Sequence, residues 1–97
     1  MEFITLLDRI LEDPRIYLGY IDLCRLKVFL AGYYVCAFDN GITIKGASAF
    51  QKYVAQYYNC SDAIDWTDIV LKNSPNGEEA FDVVKKLVKS FMHSVKL

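Results

Sequence analysis

Asp13-Pro14-Arg15-Ile16-Tyr17-Leu18-Gly19 is followed almost at once by the apolar segment Ile21–Phe38, and these two neighbours decide the fold. Proline pushes the residue before it out of the helical region. Pro14 therefore closes the amphipathic stripe formed by Phe3, Ile4, Leu7, Ile10 and Leu11, with Glu2, Asp8, Arg9 and Glu12 facing away. Between Pro14 and Gly19 the chain makes a short, stiff, aromatic-bearing connector. Behind it, Asp22 is placed to cap a second helix. From Leu23 to Phe38 only Arg25 and Lys27 interrupt the apolar residues. A helix that is apolar on every side is expected at the centre of its domain. Ala31 and Gly32, midway along it, predict a close helix crossing. Tyr33–Phe38 contains strand-favouring residues, but they do not alternate with polar ones, so the helical pattern prevails.

Working outward, Asp39-Asn40-Gly41 is a turn and Ile42–Gly46 an extended connector. Ser48 with Gln51 forms a capping box ahead of Phe50, Tyr53, Val54 and Tyr57, which share a helical face. Ser61 or Asp62 can cap a fourth helix carrying Ile64, Trp66, Ile69 and Val70, with Trp66 as a core anchor. Asn73-Ser74-Pro75-Asn76-Gly77 is the strongest breaker in the chain. Asn76 with Glu79 makes the next capping box, which opens the clearest stripe: Ala80, Phe81, Val84, Leu87, Val88, Phe91 and Val95. The expectation is an all-α, single compact domain with helices over residues 2–12, 21–38, 47–58, 63–72 and 77–95, the second buried at the centre. The 97 residues suit one domain, and 54% hydrophobic with 14% aromatic residues disfavours disorder.

The net charge of −1 conceals a strong asymmetry. Residues 1–61 balance six acids against six bases. Asp62, Asp65, Asp68, Glu78, Glu79 and Asp82 then face Lys72 alone, and Lys85, Lys86, Lys89 and Lys96 follow. Such an acidic block disfavours nucleic acid and favours a cationic partner. Helix macrodipoles also draw acids to N-termini, which accounts for part of the pattern. With Tyr58 beside it, the block supplies the expected partner-binding residues: Tyr58, Asp62, Asp65, Asp68, Glu78, Glu79 and Asp82. Tyr57 lies on the apolar stripe and Tyr58 off it, free to serve such a surface.

Catalytic chemistry finds no foothold in the sequence. His93, the single histidine, falls off the last stripe near a helix end. No Cys or His pair has metal-ligand spacing, and the Asp62-Asp65-Asp68 series lacks the glycine and terminal acid of a Ca²⁺ loop. No Gly-rich phosphate loop or nucleophile elbow occurs, so neither enzyme activity nor a cofactor is expected. Cys24, Cys36 and Cys60 read as reduced thiols, the first two buried in the second helix and about 18 Å apart along its axis. The acidic start Met1-Glu2-Phe3 is unlike an export signal, and the longest apolar run is too short to span a bilayer. A cytoplasmic protein with no membrane partner is expected.

Pro14-Arg15-Ile16-Tyr17-Leu18-Gly19, then Leu26, Phe29-Leu30 and Gly32-Tyr33, resembles the Pro-x-Met-Tyr-Leu-Gly…Leu…Phe-Leu-x-Gly-Tyr pattern of small bacterial immunity proteins. These are the antidotes of polymorphic and contact-dependent growth-inhibition toxins. The likeness continues through Phe50…Tyr53-Val54…Tyr57, Trp66…Ile69-Val70 and Glu78-Glu79-Ala80-Phe81-Asp82; Ile16 stands where methionine is usual. The resemblance implies a cytosolic, non-enzymatic protein, monomeric when free, that binds a cognate toxin domain and blocks it. Many such toxins are nucleases, ribonucleases among them, with basic clefts. It also implies that Tyr17, Gly19 and Gly32 serve the scaffold. The alternative from another class is a small regulatory or adaptor module acting by self-association or protein binding.

Overall fold

In the computed structural model, which describes residues 1–95, the chain is all-α. Lys96, the last lysine of the basic run, lies outside the described residues. Six helices follow in order: α1 Phe3–Glu12, α2 Pro14–Leu18, α3 Leu23–Asp39, α4 Ala47–Tyr57, α5 Trp66–Asn73 and α6 Gly77–Val95. The connector after Pro14 is thus a short helix. Pro14 occupies its first turn, where the missing N–H is no loss, and Gly19 ends it at φ 83°, donating its N–H to the Arg15 carbonyl.

The core forms where the predicted stripes converge. Phe3, Leu7 and Ile10 of α1 meet Phe81, Val84 and Val88 of α6, while Phe50, Val54, Ile69 and Val70 close the other side, all essentially inaccessible to solvent. Aromatic rings dominate one end: Phe50 lies 5.1 Å from Trp66 and 5.3 Å from Phe91 in edge-to-face geometry, and Phe3 packs beside both Phe50 and Trp66. α6 packs against α1, α3, α4 and α5, and is the helix around which the domain is built.

That role was expected of the segment 21–38, and the structure corrects it. α3 buries one face only, through Leu23, Leu26, Leu30 and Ala37. It packs against α2, α5 and α6, and among the described residues no further element covers the face that carries Val28 and Val35. A Cβ added at Gly32 would meet nothing within 4 Å, so the expected close crossing is absent from the single chain. Cys24 and Cys36 are likewise exposed rather than buried, although all three thiols are free.

Helix starts show which caps prevail. Asp22 accepts from the Cys24 amide at 3.1 Å, as expected. Asn76 accepts from the Glu78 and Glu79 amides at 3.0 and 3.1 Å, which is one half of the expected box; among the described residues the Glu79 side chain makes no bond back to Asn76. The box at Ser48 does not form. Gly46, at φ 88°, turns the chain directly into α4, and Gln51 is engaged elsewhere. The helix expected from residue 63 begins at Trp66, because Asp65 rather than Ser61 or Asp62 caps it. The expected extended connector stops short of the left-handed Gly46; among the described residues one parallel bridge joins Lys45 to Glu2, with the Phe3 amide donating to the Lys45 carbonyl at 2.7 Å.

Candidate functional site

The six acids of the charged block separate into two groups with different chemistry. Asp62, Asp65 and Asp68 are engaged within the chain. Asp62 pairs with Lys72 at 3.3 Å and Asp68 with Lys27 at 2.8 Å. Asp65 accepts from the Thr67 amide at 3.1 Å and from the Thr67 hydroxyl. The hydrogen bond to Asp68 holds the exposed Lys27 ammonium above the usual lysine range. Glu78, Glu79 and Asp82 are exposed at the start of α6 and have no ion-pair partner among the described residues.

Asp22 adds a fourth carboxylate to that end, since its Oδ1 occupies the space that a Cβ on Gly77 would need. Glycine at position 77 thus lets the Asp22 carboxylate sit against the first turn of α6. The helix dipole accounts for Glu78 and Glu79 in that turn. It does less for Asp82, which stands four residues after Glu78 on the same face, where like charges repel by a few tenths of a kcal/mol.

Tyr58 is not where the sequence pattern placed it. It is half-buried against the core, and the exposed ring is that of Tyr57. α4 ends at Tyr57, and the chain then turns through Asn59 at φ 52°, so burial passes from the continuing stripe to Tyr58 and Cys60. Burial raises the Tyr58 hydroxyl above the ordinary tyrosine range, with Tyr57 adding to the effect. Tyr58 is therefore mainly a packing residue.

Among the described residues, two surface grooves stand out. The first, about 390 Å³, lies among α3 and the starts of α4 and α5, lined by Lys27, Tyr34, Gln51, Asp65 and Trp66 among others. Three of its polar side chains are already occupied: Lys27 by Asp68, Asp65 by Thr67, and Gln51 by the Ile64 carbonyl and Trp66 amide. Burial, aided by the Asp65 carboxylate, raises the Tyr34 hydroxyl. The second groove, about 520 Å³, is bounded by Tyr34, Val35 and Phe38 of α3 and by Ile42 and Ile44. It continues onto the outer face of α3, where Val28, Val35 and Phe38 stand 71%, 63% and 84% exposed. The sequence contained the signal for this face, an all-round apolar helix, but its natural reading was burial.

Among the described residues, no group of three or more His, Cys, Asp or Glu is arranged to hold a metal ion, and no helix is long and apolar enough to cross a membrane. Fold and surfaces together define a small all-α domain whose distinctive features lie on its exterior. The chain matches no protein-family model, no curated protein and no solved structure.

Proposed function

We propose that this chain is an immunity protein, one that binds and neutralises a cognate toxin domain, and that the carboxylates at the start of α6 meet a cationic cleft on a nuclease-type toxin. The resemblance that begins at Pro14–Gly19 and runs on through α3 and α6 supplies the partner class. The observation that carries the surface is that Glu78, Glu79 and Asp82 are exposed and without internal ion pairs among the described residues, beside the Asp22 carboxylate. An acid already paired must release its lysine before it can engage a partner; these three have nothing to release. A cleft built for phosphates offers Lys and Arg side chains, and fixed carboxylates compete for the same groups. Neutralisation then needs only occupancy of the cleft, with no chemistry by the bound protein.

The test compares two sets of charge reversals against a cognate nuclease-type toxin domain. Glu78→Lys, Glu79→Lys and Asp82→Lys should slow association, flatten its dependence on salt and weaken protection of cells. Asp62→Lys and Asp65→Lys should act mainly on stability. Parental association and protection in all three α6 variants, with their helicity intact, would reject this surface.

A further inference from the structure

We propose that two copies of this chain pair through the outer face of α3, as an antiparallel two-fold dimer crossing at Ala31 and Gly32. This surface is separate from the acidic end, since α6 packs on the inner side of α3. Such pairing departs from the free monomer that the resemblance implies, but it leaves the acidic end of α6 open to a toxin.

The spacing of the exposed residues is self-complementary. In an antiparallel two-fold pair of helices, residue i faces residue j of the second copy wherever i + j is constant, so one patch serves both sides. A crossing between positions 31 and 32 sets that constant at 63. Val28 then lies opposite the second copy's Val35, and Phe38 opposite its Arg25. Gly32 faces open space in the single chain, where a mid-helix glycine is costly and a Cβ would be tolerated. At a helix crossing, the missing side chain permits the backbones to approach.

Charge supplies an independent argument for this occupant. Arg25 lies in the first turn of α3 and Asp39 is its last residue, so both oppose the helix macrodipole. Both are exposed and share the outer face with Val28 and Val35; neither has an ion-pair partner among the described residues, the Arg25 guanidinium lying over the Tyr20 ring, 4.2 Å from its centroid. In the antiparallel register, Arg25 comes beside the second copy's Asp39, and the reverse pair forms at the other end of the seam. A parallel pairing would set Arg25 against Arg25 and Asp39 against Asp39.

The area is adequate. Taking about 150–250 Å² for a fully exposed aromatic side chain and somewhat less for an aliphatic one, Val28, Tyr34, Val35, Phe38 and Ile42 expose roughly 500–600 Å². Two copies together bring roughly 1,000–1,200 Å², the lower edge of a specific interface. A dimer with micromolar affinity is expected.

Sedimentation velocity of the full chain over a range of concentrations tests this. The parent should shift from 11.1 kDa towards twice that mass. Val35→Glu and Phe38→Glu should each weaken the dimer by at least about tenfold while leaving helicity and unfolding of the monomer unchanged, since both side chains are exposed. Arg25→Glu and Asp39→Arg should each weaken it, and the two combined in one chain should restore it. Both reversals suit the helix dipole, so the fold is not put at risk. A parent that stays monomeric to about 100 µM overturns the proposal, because an interface of this size should register there. So does a dimer indifferent to Val35→Glu and Phe38→Glu, or a double charge swap that fails to rescue. A monomeric parent whose Phe38→Glu variant loses toxin affinity assigns the face to the toxin instead.

Discussion

Gln51 offers the sharpest test of how α4 and α5 are joined. Its amide donates to the Ile64 carbonyl at 2.8 Å and accepts from the Trp66 amide at 2.7 Å, both in partly buried surroundings. The Trp66 N–H is the first of α5 and has no partner within that helix. Gln51→Ala removes both bonds and leaves two backbone groups half-buried and unpaired. Each lost bond is worth about 1 kcal/mol, and incomplete access for water adds to that, so a loss of about 2–3 kcal/mol is expected. For a domain of this size the melting temperature should fall by roughly 8–24 °C. Urea unfolding followed by fluorescence of Trp66, the single tryptophan and a buried one, measures it directly. Gln51→Glu separates the two bonds. The carboxylate still accepts from Trp66 but has no proton for Ile64, whereas the neutral acid has one. Its folded-state pKa should therefore exceed the unfolded value. The deficit of Gln51→Glu should accordingly shrink between neutral pH and about pH 4. A Gln51→Ala variant within about 0.5 kcal/mol of the parent would refute the reasoning, as would a Gln51→Glu deficit that ignores pH.

Two other outcomes are expected of the same structure. Gly32→Ala should stabilise the monomer by about 0.5–1 kcal/mol, because the position is mid-helix and open; lower stability in dilute denaturant titrations would mean that another helix packs there after all. Burial raises the Tyr34 hydroxyl above its ordinary value of 10.0, so its contribution to stability is complete below that pH and is lost as pH climbs through the raised folded value. Tyr34→Phe should flatten the alkaline loss of stability, measured by unfolding at stepped pH; an unchanged slope would show that Tyr34 is no better shielded than a surface tyrosine.

Much of the fold was legible because its signals are local. The stripe from Ala80 to Phe91 repeats at helical spacing, and Asp22 and Asn76 cap amides two or three residues ahead of themselves. Ser48 misled because Gly46 started α4 without a side-chain cap and Gln51 was drawn to a loop 13 residues away. The burial of α3 was illegible for a different reason. Periodicity tells which residues share a face, but not whether the chain has another element to lay against it. The acidic block suffered similarly: a count sees six charges, but not that Asp68 is met by Lys27, 41 residues away. Tyr58 turned inward because the helix stopped before its own periodicity did.

The position of α6 has a consequence for how the chain must come into being. The helix that packs against α1, α3, α4 and α5 comes last in their order along the chain. During synthesis, Leu7, Leu26, Val54 and Ile69 are all made before the Phe81–Phe91 segment that covers them. The faces of α1, α3, α4 and α5 that pack on α6 stay uncovered until Phe91 has emerged, whatever packing those helices make among themselves. Such a domain acquires its structure in one late step, and until then it is a substrate for chaperones, proteases and its own neighbours.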